Sequence, residues 1–218
     1  MATGSEQSSM LLGTLMVLTV VSGLVDAVSY LGLGHVFTAN MTGNIAFLGF
    51  SLGGAAGFSV PTSLVALGAF LLGAMVGGRL VPTGAGAGRI RNTFLLQTAA
   101  LTGATVLAVL TVASRGTSRL GLAALLAVGM GLQNAAVRRM AVADMTTTVL
   151  TMALTGLASD SSLAGGGNPG ARRRAASVVL MLLGAAAGAG LKRLGLEWPV
   201  ALATAGVLSA TVLLASAA

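Results

Sequence analysis

The chain has 218 residues, of which 55% are hydrophobic and only 8% charged, with a net charge of +7 and a mean hydropathy of +0.93. Soluble domains carry about 25% charged residues, so this composition excludes a water-solvated globular surface. The absence of cysteine excludes disulfides, thiol catalysis and Cys-ligated metals, and a single histidine, His35, cannot build a zinc cluster.

Eleven of the twelve basic residues are arginine. They stand singly or in short groups between apolar runs, which is how membrane proteins mark their cytoplasmic ends. Aromatic residues make up 4% of the chain, too few for the base-stacking platforms of a nucleic-acid binder.

The first apolar run covers 10–33. No basic residue precedes it, no A-x-A-type cleavage site follows it, and it contains Asp26, so it reads as a retained membrane helix and not as a signal peptide. Further runs follow at 61–81, 92–113, 118–137, 175–194 and 199–217. Each approaches the roughly 20 residues that cross a hydrocarbon core. Two others, 39–57 and 142–159, are less purely apolar and begin with polar clusters. The breaks between runs hold Gly, Pro, Ser and Arg, and Gly165 to Gly170 cannot continue a helix. Gly84 to Gly88 is a flexible loop, since no Lys-Ser/Thr follows to complete a phosphate site. The expected fold is an all-α polytopic bundle in one membrane domain, 1–218, with about six full spans and two shorter, polar-led segments.

The chain also repeats itself. Gly23-Leu24-Val25-Asp26-Ala27 matches Gly131-Leu132-Gln133-Asn134-Ala135, and Asn40-Met41-Thr42-Gly43-Asn44 matches Asp144-Met145-Thr146-Thr147-Thr148. Leu71 to Leu80 matches Leu182 to Leu191 in its small residues. Repeats of 10–113 and 118–217 are expected, and transporters built from two repeats place their site at the repeat interface. In a six-span topology eight basic residues fall on the N-terminal side (Arg79, Arg89, Arg91, Arg138, Arg139 and Arg172 to Arg174) and four opposite. That asymmetry puts both termini in the cytoplasm of a plasma-membrane protein. Gly49-x-x-x-Gly53, Gly73-x-x-x-Gly77 and Gly184-x-x-x-Gly188 fit close helix packing, within the chain or in a homodimer.

Asp26 leads the candidate functional residues. An ionised carboxylate at a helix centre costs about 2.5–3.5 kcal/mol on insertion scales, so it must pair, protonate or face water. Ser22, Ser29 and Tyr30 share its face. Either a proton or cation site or a structural carboxylate that caps a segment satisfies this. Thr38, Asn40, Thr42 and Gly43 suit a cap or irregular backbone at the head of a half-helix, and Asn40 and Asn44 would share a face if the segment is helical. Gln133, Asn134 and Thr146 are their counterparts, and Asp144 can pair with Arg138 or Arg139. His35 lies at a helix end, and Arg172 to Arg174 suit anionic headgroups. Because lipid satisfies none of their hydrogen bonds, Asp26, Asn40, Thr42, Asn44 and Asn134 are expected to converge on one buried pocket.

The stretch Gly23 to Asn44 resembles the first signature of the YoaK-like family of bacterial membrane proteins, and Gly131 to Ala135 with the Thr-rich stretch through Gly156 resembles its second. The resemblance spans nearly the whole chain. It implies a multi-pass membrane protein and supplies no substrate. Where that family's second motif carries Thr-Tyr-x-Thr-Gly, this chain has Thr147-Thr148-Val149-Leu150-Thr151, so no role is transferred to Thr147 or Thr148.

No nucleophile–base pair, metal cage or cofactor motif stands in the sequence, so neither an enzyme nor a cofactor is expected. The expectation is a small secondary transporter or permease for a small polar solute, coupled to protons through Asp26. The alternative is a non-transporting membrane scaffold or partner subunit. The expected partners are the lipid bilayer and a small polar solute or ion.

Overall fold

In hydrocarbon every backbone N–H and C=O must be satisfied within the segment, and the helix does this. The structure, a computed structural model, describes residues 4–114, 119–140 and 150–216. Its helices are α1 (Gly4–Gly32), α2 (Met41–Leu52), α3 (Val60–Leu80), α4 (Ala87–Ser114), α5 (Arg119–Met140), α6 (Leu150–Ser159), α7 (Ala171–Leu191) and α8 (Glu197–Ser216), with a 3-10 turn at Ser162–Ala164. Six are long and apolar enough to cross a membrane, and they coincide with the six full-length runs of the sequence. α2 has 12 residues, or about 18 Å at 1.5 Å per residue, short of the roughly 30 Å of a hydrocarbon core. The described part of α6 has 10 residues. The fold class read from the sequence is the one observed.

Local chemistry sets the boundaries. The Ser59 side chain accepts the Thr62 N–H at 3.4 Å, Pro61 occupies the first turn of α3, and Pro82 follows the last. The expected Gly84–Gly88 loop is shorter than the sequence suggests: Gly84 turns with φ +77°, but α4 already begins at Ala87, so Gly88 is helical.

α2 stays at one end of the bundle. A Cβ on Gly34, after α1, would stand 3.8 Å from the Ser59 Cβ, before α3. Phe47 of α2 stacks on Phe58 at 4.9 Å and lies 6.1 Å from Tyr30 of α1. The α1 C-terminus and the α3 N-terminus are therefore neighbours, and α3 runs back antiparallel to α1.

α1 and α5 form the centre. In each, 61% of the apolar stretch is buried, against 17–39% in the other four spans. α7 crosses α1, and α3 crosses α5, with backbone against backbone. A Cβ on Gly184 would stand 2.2 Å from the Val20 carbonyl oxygen, and one on Gly73 would stand 2.2 Å from that of Val128. From the facing helices, a Cβ on Gly23 would meet the Met181 carbonyl at 2.4 Å, and one on Gly131 that of Phe70 at 2.2 Å. One turn on, Gly188 faces Leu24 and Ala27, and Gly77 faces Leu132 and Ala135. The two crossings match residue for residue, and in each the paired helices run parallel. The α1–α8 and α4–α5 contacts are antiparallel. Gly206 of α8 faces Val21 of α1 while Leu196, before α8, reaches Gly32; Gly129 of α5 faces Leu101 of α4 while Gly121 reaches Leu107.

The Gly73 and Gly184 motifs thus pack helices within one chain. Gly49-x-x-x-Gly53 makes no such contact within the chain: nothing lies within 4 Å of a Cβ on Gly49, and Gly53 is the C-cap of α2.

Adding a methyl at these crossings must push two backbones apart. Gly184→Ala and Gly73→Ala should each destabilise the fold by at least the ~1–3 kcal/mol typical of overpacking. Gly49→Ala, with open space and better helix propensity, should be neutral or stabilising by up to ~1 kcal/mol. Thermal unfolding in detergent measures both, and a Gly184→Ala protein as stable as the parent refutes the crossing.

Candidate functional site

After α1 the chain reverses through Gly34 (φ +97°) and His35 (φ +56°), a left-handed pair that lays residues 36–40 back alongside the helix. This segment is not helical, so its N–H groups need partners from elsewhere. Asp26, 4% exposed, supplies them. Its Oδ1 accepts the Thr38 N–H at 3.1 Å and the Ala39 N–H at 2.8 Å, and its Oδ2 accepts the Asn40 side-chain amide. Three donors suit the ionised carboxylate, which can only accept. Asn44 fastens the same segment from α2: Phe37 N–H donates to its Oδ1 at 2.8 Å, and its Nδ2 donates to the Phe37 carbonyl at 2.6 Å. Gly43 leaves room for this, since a Cβ there would meet the Phe37 ring at 2.5 Å.

The expected convergence is met only in part. Asn40 reaches Asp26, but as the N-cap residue of α2 it makes no side-chain cap hydrogen bond there. Asn44 joins through Phe37 and not on the carboxylate. Thr42 is exposed on the other side of α2. Asn134 donates to the Met130 carbonyl of its own helix at 2.8 Å. Thr146, with Asp144, Thr147 and Thr148, lies outside the described residues.

The polar bridge across the bundle falls at Gln133, one residue before Asn134. Its Nε2 donates to Ser22 Oγ at 3.0 Å and to the Leu18 carbonyl at 3.3 Å, both on α1. Its Oε1 accepts from Gln97 Nε2 of α4 at 2.7 Å. Ser22 Oγ donates to the Leu18 carbonyl at 3.0 Å. Gln97, Gln133 and Ser22 are all completely buried. The sequence reading passed over Gln97; the available signal was one amide alone in the apolar run 92–113.

At the bundle ends the polar groups are fastened locally. His35 is exposed and meets Tyr30 edge-on at 5.1 Å, in keeping with its expected interfacial place. Arg139 donates to Thr83 Oγ1 at 2.7 Å. Arg174, unlike its exposed neighbours Arg172 and Arg173, is half-buried. It donates to Asp160 Oδ2 at 2.6 Å and holds that carboxyl below its ordinary pKa by this hydrogen bond. Gly156 makes the reach possible, because a Cβ there would collide with the guanidinium at 2.3 Å. A crevice of about 260 Å³ between α3, α4 and α5 is lined by apolar groups, among them Leu72, Val76, Leu96 and Leu132, and offers a polar solute nothing to bind.

Six long apolar helices with polar side chains turned inward define a multi-pass α-helical membrane protein. Residues 14–214 match the family described as "Protein of unknown function (DUF1275)", and the chain belongs to that family. It is also 36% identical over 156 residues to the UPF0700 transmembrane protein YoaK of Bacillus subtilis (strain 168), covering 68% of this chain and 66% of that relative, just under two thirds of the relative's length. No solved structure matches the chain.

Removing the Asp26 acceptors strands buried donors, at about 1–3 kcal/mol for each unpaired group. Asp26→Leu should lower stability by that order and speed amide exchange at Thr38 and Ala39. Thr42→Ala, at an exposed position, should change neither. Unchanged exchange at Thr38 and Ala39 in Asp26→Leu contradicts the cradle.

Proposed function

We propose that this protein is a small secondary transporter or permease for a small polar solute, coupled to protons through Asp26. One observation carries the proposal: the two central crossings match residue for residue while their helices run in opposite senses. α3 runs against α1, α5 runs with α3, and α7 runs with α1. The order α1, α3, α4 is therefore up, down, up, and α5, α7, α8 is down, up, down. This favours two repeats, 10–113 and 118–217, of inverted topology. Transporters of that design alternate access by rocking one repeat against the other around an interfacial site. The Gln97–Gln133–Ser22 bridge lies at that interface.

Asp26 offers a route for coupling. A proton placed on it removes the negative charge that the Thr38, Ala39 and Asn40 donors stabilise, and so weakens those hydrogen bonds. Protonation would thus loosen residues 37–40 and the head of α2. One observation favours the rival reading of a non-transporting membrane scaffold or partner subunit: donors from its own chain already engage both oxygens of Asp26.

The test is solute-driven proton flux in proteoliposomes, read with a pH-sensitive dye across classes of small polar solute. We expect flux with at least one class, abolished in Asp26→Asn at unchanged assembly. Absence of flux with every class, with Asp26→Asn altering only stability, establishes the scaffold reading.

We further propose that both termini lie in the cytoplasm, a reading that the arginine asymmetry supports. Single cysteines at 54–57 in the native Cys-free chain should then react with an impermeant thiol reagent from outside the cell. Labelling only from the cytoplasm reverses the orientation.

A further inference from the structure

The Gln97 side chain ends in a carbonyl oxygen, Oε1, that is buried and has no hydrogen-bond partner. The direction of the whole network follows from one backbone atom. The Leu18 carbonyl can only accept, so the side chain that reaches it from α5 must present its NH2. Gln133 then turns its own carbonyl toward α4, and Gln97 must answer with its NH2. Gln97 Oε1 is consequently left pointing away from the network as an acceptor. Reversing either amide would set two acceptors against each other. An unpaired buried carbonyl is costly in any protein interior and more so where no water reaches.

We infer that Gln97 Oε1 and the Gln97–Gln133–Ser22 bridge form the binding point for a small, uncharged solute that carries N–H or O–H donors, of the primary-amide kind. The inference rests on the transport reading only in calling the ligand a transported solute; the binding site stands on its own geometry. The chemistry selects the class. An anion or a molecule with acceptors alone would face an unpaired carbonyl. A cation would find no counter-charge in the bridge, whose members are all neutral, and the intramembrane acid on α1, Asp26, already binds donors from residues 38–40. A neutral donor satisfies the orphan without bringing a charge into the bundle. All three bridging side chains are buried, so this is an occluded form of the site, closed to both faces.

Acetamide and N,N-dimethylacetamide both carry the carbonyl and only acetamide carries N–H; they also differ in size, which Gln97→Leu controls, since a size effect survives there and a donor effect does not. Thermal unfolding of the detergent-purified full chain is the readout. Acetamide should raise Tm by a few degrees in a saturable way, as binding to the native state requires, and N,N-dimethylacetamide should not. Gln97→Leu should erase the difference. Equal responses to the two amides in the parent protein, or none, overturn the inference, and none is also what a buried water filling the site would give. A difference that survives in Gln97→Leu overturns it as well. Should Gln97→Leu fail to fold, the comparison in the parent protein decides alone. The transport reading fails separately. Donor-dependent stabilisation without flux in proteoliposomes keeps the site and removes the transporter, whereas flux of any solute that persists in Gln97→Leu does the reverse.

Discussion

Polar side chains inside this bundle compete for partners in a medium that supplies none. A carboxylate on α1 and two amides on α4 and α5 can sit there only because the fold brings donors and acceptors to them. For Asp26 the partners come from the chain itself, once Gly34 and His35 turn it back along α1. For Gln133 they come from another helix, and that depends on close approach. The crossings at Gly23, Gly73, Gly131 and Gly184 remove side chains between backbones and seat α1 and α5 deep in the bundle. From there Gln133 reaches the Leu18 carbonyl on α1 at 3.3 Å. In a looser bundle of larger residues that distance would open and the amide would be stranded.

Run length and hydropathy made the six spans legible in the sequence, because a hydrocarbon slab measures helices by length alone. The first polar-led segment was legible as short for a related reason: Thr38, Asn40 and Thr42 are poor helix-interior residues, and the observed α2 starts only after Asn40. The Asp26–Asn40 contact could be anticipated because a short Gly-containing turn leaves the chain nowhere else to go. What failed was helical phase. Asn40 and Asn44 would share a face inside one helix, but Asn40 stands outside it, so the two serve different partners. Thr42 turns outward. Asn134 donates to a carbonyl of its own helix, while its neighbour Gln133 crosses the bundle to α1. Gln97 escaped notice because a single amide in an apolar run has no periodic companion to announce it.

The matched crossings differ where the chemistry lies. Val20, Gly23, Leu24 and Ala27 on α1 take the same places as Val128, Gly131, Leu132 and Ala135 on α5. These positions face α7 and α3, and their shared requirement is small size or a bare backbone. Between them stand Ser22, Val25 and Asp26 on α1 against Met130, Gln133 and Asn134 on α5; only Asp26 and Asn134 share a shape, and they differ in charge. Identical chemistry at both places would give two equivalent centres with no preferred occupant or direction. Here one central helix carries the carboxylate and the other carries the bridging amide. Packing constrains the first set of positions and leaves the second free to differ, so a polar site of one polarity can be written into a scaffold whose two crossings remain alike.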